Sequence, residues 1–279
     1  MGLKRQRRLN RWVTYVLLIA GAGIVFIPFW YMLVTSFKPQ ALIFEFPPQL
    51  WPREVSFNNY IAALSKDLFG LYFLNSLFVA VVTTGVTVLI STLLAYAFAR
   101  LKFPGKEALF YIFLLGMMIP PVMLIIPQFL ITKQLGLLYT YAGLVVVYVT
   151  MNLAINTFLL RSFFEGIPRD LEEAALIDGA SQWAIFSRIV LPLSGPGLAV
   201  VTIFTFLYSW DEFPWAHVAI KETTKRTLPV AIALFQGQHL TEWGQVFAAS
   251  IVALIPVLLV FILFQRYFIR GIATTGLKG

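Results

Sequence analysis

Long apolar runs separated by short polar stretches dominate the pattern of this chain. Each run is close to the ~20 residues that an α-helix needs to cross a bilayer. The pattern predicts six transmembrane helices, at residues 12–34, 73–98, 108–131, 142–160, 193–213 and 247–268. An even number of spans returns both termini to one side. The predicted fold class is an all-α, polytopic membrane protein.

A polar insert, residues 171–192, lies between the fourth and fifth runs. Asp170 followed by Glu173 has the spacing of a capping box, so a helix is predicted to start here. Gly179 is the predicted end of this helix, because glycine adopts a left-handed C-cap conformation at little cost. Ser181 is predicted to cap a second helix that ends near the proline closing the insert. The insert should therefore form two short helices joined by an elbow.

Composition independently supports a membrane setting. Hydrophobic residues make up 59% of the chain and charged residues 12%, too few charges to cover a soluble surface. The absence of cysteine excludes disulfides, thiol nucleophiles and cysteine metal sites. The two histidines, His217 and His239, have no second ligand at metal-like spacing, so no metal site is predicted.

The insert resembles the EAA loop of the inner-membrane permease subunits of ABC importers. The likeness is carried by Glu173-Ala174-Ala175, Gly179, Ile189 and Leu191-Pro192 at the spacing of that loop. Residues 176–181 resemble the carbohydrate-uptake branch, most of all the second permease of maltose-type systems, and residues 100–106 are similar to a stretch common in carbohydrate permeases.

The resemblance implies that the loop at about residues 165–192 docks on an ATPase subunit as a cytoplasmic coupling helix. It assigns this contact to Leu171, Glu172, Glu173, Ala174, Ala175, Leu176, Asp178, Gly179, Ile189 and Pro192. Glu172 and Glu173, as neighbours, should point to different faces of the helix.

Charge predicts the orientation. Five basic residues precede the first run, which is typical of an uncleaved signal anchor with a cytoplasmic arm rather than of nucleic-acid binding. With both termini, the loop near residue 102 and the insert inside, 14 of the 21 lysines and arginines are cytoplasmic, which agrees with the positive-inside rule. The expected organisation is an arm and first helix at 1–36, an external loop at 37–72, the permease domain at 73–269 and a cytoplasmic tail at 270–279, in a bacterial or archaeal plasma membrane.

Two absences constrain the mechanism. A phosphate-binding loop is missing, because Arg100 stands where its first glycine would precede Gly105-Lys106. This chain is therefore not expected to be an enzyme or to hold a cofactor, and the resemblance assigns ATP and Mg²⁺ to partner subunits. The middles of the predicted spans also lack acidic, basic and histidine residues, which disfavours a proton-driven or ion-driven carrier.

Neutral polar and aromatic residues in the fourth and fifth runs are candidates for a solute path. Aromatic faces and neutral hydrogen-bonding groups suit a sugar. The alternative is that these residues bond neighbouring helices or lie in the interfacial belt, and for any one of them that reading is favoured. The candidates are Tyr148, Asn152, Asn156, Tyr208, Trp210 and Asp211.

The resemblance also implies partners. These are a second homologous permease, two ATP-binding cassette subunits, an external solute-binding protein that meets residues 217–244, and membrane lipid, with no nucleic acid. Residues 210–213, Trp-Asp-Glu-Phe, depart from the usual Trp-Asn-x-Phe by added acidity, so a glycoside, polyol or amino sugar also fits. Alternatives are an importer for another solute, such as a polyamine or phosphate, and a non-transporting membrane component of an ATPase assembly.

Overall fold

The computed structural model describes residues 2–65, 68–234 and 241–275, with side chains described within 10–65, 68–234 and 241–266. Every regular element in these ranges is helical, which confirms the all-α prediction. The α-helices are α1 (Gly2–Ser36), α2 (Asn58–Ser65), α3 (Phe69–Arg100), α4 (Lys106–Leu115), α5 (Ile125–Gln134), α6 (Tyr141–Glu165), α7 (Asp170–Ile177), α8 (Gln182–Ile185), α9 (Leu191–Leu193), α10 (Gly195–Asp211), α11 (Pro214–Ala219), α12 (Leu228–Ala233) and α13 (Trp243–Thr275).

Four described helices are long and apolar enough to cross a membrane: α1, α3, α6 and α13. Each contains one predicted span. Two further pairs pass the same test only together, with bends of 93° between Lys106–Met118 and Pro121–Gln134 and of 75° between Gln182–Leu193 and Gly195–Asp211. The described residues therefore contain four spans, or six if each bent pair is one span.

The third predicted span, residues 108–131, is broken, which corrects the expectation of one helix. α4 continues as a 3₁₀ turn, Gly116–Met118, and the backbone is extended at Ile119 (φ −89°, ψ 120°) before Pro120 and Pro121. Proline lacks an N–H for the helix, and the residue before it is pushed out of the helical region. Two prolines inside an apolar run hardly change its hydrophobicity, so the run by itself did not reveal the break.

The chain divides into two compact units, residues 1–69 with 232–254 and residues 70–231 with 255–279. In the first unit, Asn59 holds the end of α1, because its Nδ2 donates to the carbonyls of Ser36 at 2.9 Å and Lys38 at 2.7 Å. The predicted coupling residues and path residues all lie in the second unit. The predicted tail, residues 270–279, lies outside the residues whose side chains are described, as does His239.

The core of the second unit forms two clusters at the two ends of α6. The Tyr148 cluster comprises Val79, Leu144, Val147, Tyr148, Trp215, Ala216, Ala219, Ile220 and Val230. The Phe164 cluster comprises Ala95, Tyr96, Ala99, Leu160, Phe164, Ile185, Phe186, Val190 and Val201. α10 packs against α6 closely enough that a Cβ on Gly197 would lie 2.7 Å from the Phe163 ring. Small residues allow this approach, the usual basis of helix packing in membranes.

Candidate functional site

The elbow of the polar insert forms as predicted. Gly179 has φ +81° and ends α7 in a Schellman motif, in which its N–H donates to Leu176 O (3.0 Å) and the N–H of Ala180 donates to Ala175 O (2.9 Å). Ser181 then caps α8, since its Oγ accepts from the N–H of Ala184 at 3.2 Å. Ala175 and Ala180 both pack on the Phe164 cluster, which holds the elbow against the helices behind it.

The predicted capping box at Asp170 is wrong. Asp170 is already the first helical residue, and the N-cap position belongs to Arg169, whose side chain makes no capping bond. The N–H groups of Glu172 and Glu173 donate instead to Arg169 O, both at 2.9 Å. Backbone bonds thus replace the side-chain cap, and the three acidic residues of the first turn, Asp170, Glu172 and Glu173, still lie at the positive end of the helix.

A buried arginine holds this first turn. Arg100, the last residue of α3, donates from Nη2 to the carbonyls of Phe164 (2.6 Å) and Ile167 (2.7 Å). Its Nε lies 2.6 Å from Glu172 Oε1, an ion pair whose angle is outside hydrogen-bonding geometry. The side chains are only 4% and 12% exposed. One guanidinium therefore joins the end of α3, the end of α6 with the turn after it, and α7.

The opposite side of α7 is exposed and largely apolar. Ile177 is 87% exposed, and Leu171 and Leu176 are also exposed, while α7 has no buried residue. Glu173, Ala174 and Asp178 share this exposure. On α8, Trp183 is 66% exposed. Apolar side chains grouped on a protruding surface mark a contact site for another protein.

The second helix of the insert changes pitch before it ends. α8 runs into a π-helical turn, Phe186–Val190, and then into α9, which contains Pro192. Ile189 in this turn is half-buried, and Pro192 is exposed. A π turn widens the helix and often marks a functional position. The chain then turns by 75° into α10, so the insert ends near Pro192, as predicted.

A cavity of about 770 Å³ lies in the second unit, in the volume range of small-molecule sites. It includes four of the six predicted path residues, Asn152, Asn156, Tyr208 and Asp211. The remaining wall is mainly apolar, and its described lining residues include no lysine, arginine or histidine. The lining is Pro121, Val122, Ile125, Gln128, Val147, Met151, Asn152, Ile155, Asn156, Leu159, Phe204, Leu207, Tyr208, Asp211, Glu212, Phe213, Pro214 and Trp215.

The polar groups of this cavity are already partly engaged within the protein. Asn152 Nδ2 donates to Tyr148 O at 2.8 Å, one turn earlier in its own helix. Asn156 Nδ2 donates to Thr205 Oγ1 at 2.6 Å, which joins α6 to α10. Each amide keeps its Oδ1 available as an acceptor. These residues serve helix packing and still line the cavity.

The other two candidates are placed behind the wall rather than in it. The hydroxyl of Tyr148 donates to Glu212 Oε2 at 2.6 Å, and its ring contacts Tyr208 edge-on, with centroids 6.0 Å apart. Trp210 is buried between Phe206 and Phe73, with centroid distances of 5.9 and 5.4 Å. Neither is a lining residue: Tyr148 contacts the lining residues Tyr208 and Glu212, whereas the ring partners of Trp210 lie outside the lining.

Glu212 has a structural role that its position in the sequence did not reveal. Besides the Tyr148 hydroxyl, its carboxylate accepts from the N–H groups of Trp215 (2.7 Å) and Ala216 (3.0 Å), which begin α11. Three donors hold this charge, whereas no donor to the carboxylate of Asp211, in the same wall, occurs among the described residues. The pattern of an acidic residue three before a helix-start N–H could have indicated this cap.

A polar clamp closes the neighbouring loop. Asn75 Nδ2 donates to the carbonyls of Thr224 and Arg226, both at 2.9 Å, and its Oδ1 accepts from the hydroxyl of Tyr141 at 2.8 Å. Ser76 Oγ accepts from the N–H of Leu228 at 2.7 Å and so begins α12. The loop between α11 and α12, part of the segment predicted to meet an external protein, is therefore fixed to α3 and α6.

Metal binding finds no support in the part of the chain that the structure describes, where no group of three or more metal-type ligands occurs.

Arg100 was predicted only as part of a motif, with no role. Its partners are distant in sequence, 64 positions for Phe164, so no local pattern identifies them.

Residues 88–274 match the family described as binding-protein-dependent transport system inner membrane component. The chain is 37% identical over 256 residues to the diacetylchitobiose uptake system permease protein of Streptomyces coelicolor, covering 91% of this chain and 84% of that one. It is 38% identical over 272 residues to the trehalose/maltose transport system permease protein of Thermococcus litoralis, covering 95% and 97%.

Among solved structures, the chain is similar to one of a bacterial ABC transporter involved in the import of the acidic polysaccharide alginate. The TM-score is 0.81 at 27% identity, covering 95% of this chain and 98% of that chain. Agreement over this length shows that the two chains share one fold.

Proposed function

We propose how this chain acts from one premise: it belongs to the family of inner-membrane components of binding-protein-dependent transport systems, whose pattern covers residues 88–274. It is a permease subunit of an ABC importer, and it lies in the inner membrane with several apolar helices. Its role is to form half of the translocation path and to be moved by a partner that hydrolyses ATP.

The cargo we propose is a sugar, oligosaccharide or related glycoside or polyol. Relatives that match nearly the whole chain carry the names of diacetylchitobiose and trehalose/maltose systems. The cavity supports this assignment, because Tyr208 offers an aromatic face and the amides of Asn152 and Asn156 offer neutral acceptors. Asp211 in a wall whose described lining lacks a basic residue favours neutral or cationic cargo over anionic cargo.

The observation that carries the coupling role is the exposed apolar face of α7. Ile177 at 87% exposure is costly to leave in water, and a cleft in an ATPase subunit would cover it together with Leu171. Glu173 and Asp178, beside that face, would add charged contacts. Two ATP-binding cassette subunits would hold ATP and Mg²⁺, and a second permease and an external solute-binding protein would complete the complex.

The mechanism is alternating access. ATP binding closes the ATPase pair, α7 and α8 move with their cleft, and the helices behind them turn the cavity from one side of the membrane to the other. The chain itself performs no chemistry. It converts a displacement at α7 into a change in which side the cavity faces.

Six spans with both termini and α7 in the cytoplasm are part of the proposal, and the lack of cysteine allows a direct test. Single cysteines at Ile177 and at Lys221, both exposed, should be labelled by an impermeant maleimide from opposite sides of the membrane. Labelling of Ile177→Cys only from the side of the solute-binding protein would contradict the orientation.

Coupling is tested with the reconstituted complex. Glu173→Lys and Gly179→Val should leave the protein in the membrane and reduce labelled-sugar uptake while ATP hydrolysis continues. Glu54→Lys, the same charge reversal at an exposed residue without an assigned role, is the control and should transport normally. Normal uptake per ATP by the Glu173 and Gly179 variants would show that α7 is not the coupling element.

The alternative is an importer for a non-carbohydrate solute such as a polyamine. The carboxylate of Asp211 at the cavity is the observation that favours it. Competition against labelled-sugar uptake separates the two, because neutral disaccharides should compete if the path is for sugars and polyamines should compete if it is not.

A further inference from the structure

Few contacts attach α7 to the membrane helices. It has no buried residue; its half-buried Ala175 packs on the Phe164 cluster, as does Ala180 past the elbow. In its first turn, Glu172 forms an ion pair with Arg100, whose side chain is only 4% exposed. A helix held so sparsely depends strongly on one charged contact.

The acidic side chains of this turn point in two directions. Asp170 and Glu173 are exposed, and Glu172 points inward to Arg100. Successive residues are separated by about 100° around a helix, so one turn can face an external partner and the membrane helices together. Glu172 is therefore not available to the ATPase subunit while the ion pair is formed.

Arg100 is also committed on its other side. Its Nη2 donates to Phe164 O, near the end of α6, and to Ile167 O, in the turn that follows; Phe164 O also accepts the N–H of Ile167 at 3.0 Å. From Phe164 to the cavity residue Asn156, α6 continues without interruption over about 12 Å. A displacement of α7 that carries Glu172 with it therefore pulls on a guanidinium fixed to the helix that lines the cavity.

Breaking the ion pair between Arg100 and Glu172 is unfavourable. If α7 moved without Arg100, a buried guanidinium would lose its counter-charge, which is among the most costly states in a protein interior. The three helix ends are thus expected to move as one body.

We propose that Arg100 is a positioning residue for coupling, which transmits movement of α7 through Glu172 to α3 and to α6. The proposal rests on the proposed function, because it assumes that α7 receives the movement of an ATPase subunit. It assigns Glu172 to the internal link and leaves Glu173 to the external contact.

The chain contains a matched control. Arg161 is 13% exposed in its side chain and pairs with Glu107 at 2.9 Å and Glu165 at 2.8 Å, with its guanidinium 4.1 Å from the centroid of the Phe110 ring. It joins α4 to α6, and its partners Glu107 and Glu165 are 52% and 49% exposed, against 12% for Glu172. Loss of Arg161 therefore removes a largely buried arginine and its ion pairs without changing either residue of the proposed link.

The test compares Glu172→Gln, Arg100→Gln and Arg161→Gln in the full complex in vesicles, with uptake of a labelled disaccharide and ATP hydrolysis measured together. Glu172→Gln and Arg100→Gln should lower the sugar moved per ATP by about tenfold, the upper range for mutations along a coupling network. Arg161→Gln should change this ratio by less than about twofold. Thermal unfolding of each complex reports any general loss of stability.

Exchange of the charges probes the geometry. Arg100→Glu combined with Glu172→Arg should fail to restore the ratio, because a carboxylate cannot donate to the carbonyls of Phe164 and Ile167. Arg100→Lys, which keeps a positive charge and hydrogen-bond donors, should retain part of the wild-type ratio of sugar moved per ATP. If Arg100→Gln fails to assemble, Glu172→Gln decides, since glutamine keeps the shape of the side chain.

A second readout needs no cargo. A cysteine introduced by Met151→Cys in the cavity wall should be labelled at a different rate when ATP is added. The same change in rate is expected when Met151→Cys is combined with Arg161→Gln. No change is expected when it is combined with Glu172→Gln. Two outcomes would overturn the role of Arg100. One is loss of the ATP-dependent change in labelling in Arg161→Gln as well. The other is a Glu172→Gln variant in which both this change and the sugar moved per ATP remain as in the wild type. A complex that shows the response yet takes up no sugar would refute the proposed cargo and leave the link standing.

Discussion

The two ends of α6 hold their neighbouring short helices in different ways. At the Tyr141 end, α11 and α12 contribute buried residues to the core, among them Trp215, Ala216 and Val230, and neutral hydrogen bonds from Asn75 fix the loop between them. At the Glu165 end, α7 buries no residue and is held by an ion pair and a Schellman turn. The short helices at the Tyr141 end are part of the core, whereas α7 at the Glu165 end lies on the surface of its core cluster.

This difference teaches where the molecule can move. Elements with many buried contacts have a free energy of local opening near that of the whole domain, and sparsely packed elements open or shift at much lower cost. α7, which buries no residue, therefore suits a part that a partner displaces. α11 and α12 suit a fixed wall, against which the cavity keeps its shape.

The largest expected effect would come from the core end. Trp215→Ala should lower the free energy of unfolding by roughly 3 to 5 kcal/mol, because it removes a large buried side chain from the Tyr148 cluster. Chemical unfolding in detergent measures it. Trp183→Ala, at an exposed tryptophan of α8, is the control and should change stability little. Equal losses at both positions would remove the contrast between the two ends.

The polar clamp comes next. Asn75→Ala removes three hydrogen bonds and should destabilise by about 2 kcal/mol, since two carbonyls and the Tyr141 hydroxyl lose their partner. Increased proteolysis between α11 and α12 would report the released loop. Asn58→Ala, at an exposed asparagine whose side chain has no assigned role, serves as comparison. A clamp variant as resistant as the wild type would contradict the fixed position of the loop between α11 and α12.

The elbow should show a smaller effect on stability. Gly179→Ala should cost about 1 kcal/mol, because alanine is strained at φ +81° although no atom lies within 4 Å of the added Cβ. Gly116→Ala has the same free space but a normal φ of −58°, so it should cost nothing. The difference between the two melting temperatures isolates the backbone conformation. Equal melting temperatures would show that the elbow relaxes without strain.

The smallest effect on stability is expected on the exposed face of α7. Ile177→Ser should leave unfolding unchanged within about 0.5 kcal/mol, because the side chain is 87% exposed, yet it should weaken binding of the ATPase subunits. Co-purification of the complex measures that binding. A variant that unfolds more easily but binds normally would place Ile177 in the core rather than at a contact surface.

Local patterns predicted the elbow almost completely. Gly179 and Ser181 determine their own conformations through the few residues around them, so their positions could be derived without a structure. The cap at Asp170 was predicted wrongly because a carboxylate and a backbone carbonyl compete for the same N–H groups, and the choice depends on how the preceding turn enters the helix. The break at Pro120 followed from local chemistry that a long apolar run concealed.

The sequence by itself determined that this is an all-helical membrane chain with a polar, elbowed insert, because hydrophobic run length and helix capping act over short distances. Only the tertiary structure decided that Glu172 faces Arg100, that Glu212 caps α11 beneath Tyr148, and that Asn152 and Asp211 line a cavity while Trp210 does not. The physical reason is that each of these contacts joins helices far apart in the chain, and their partners are chosen by how the helices pack rather than by which residues are adjacent.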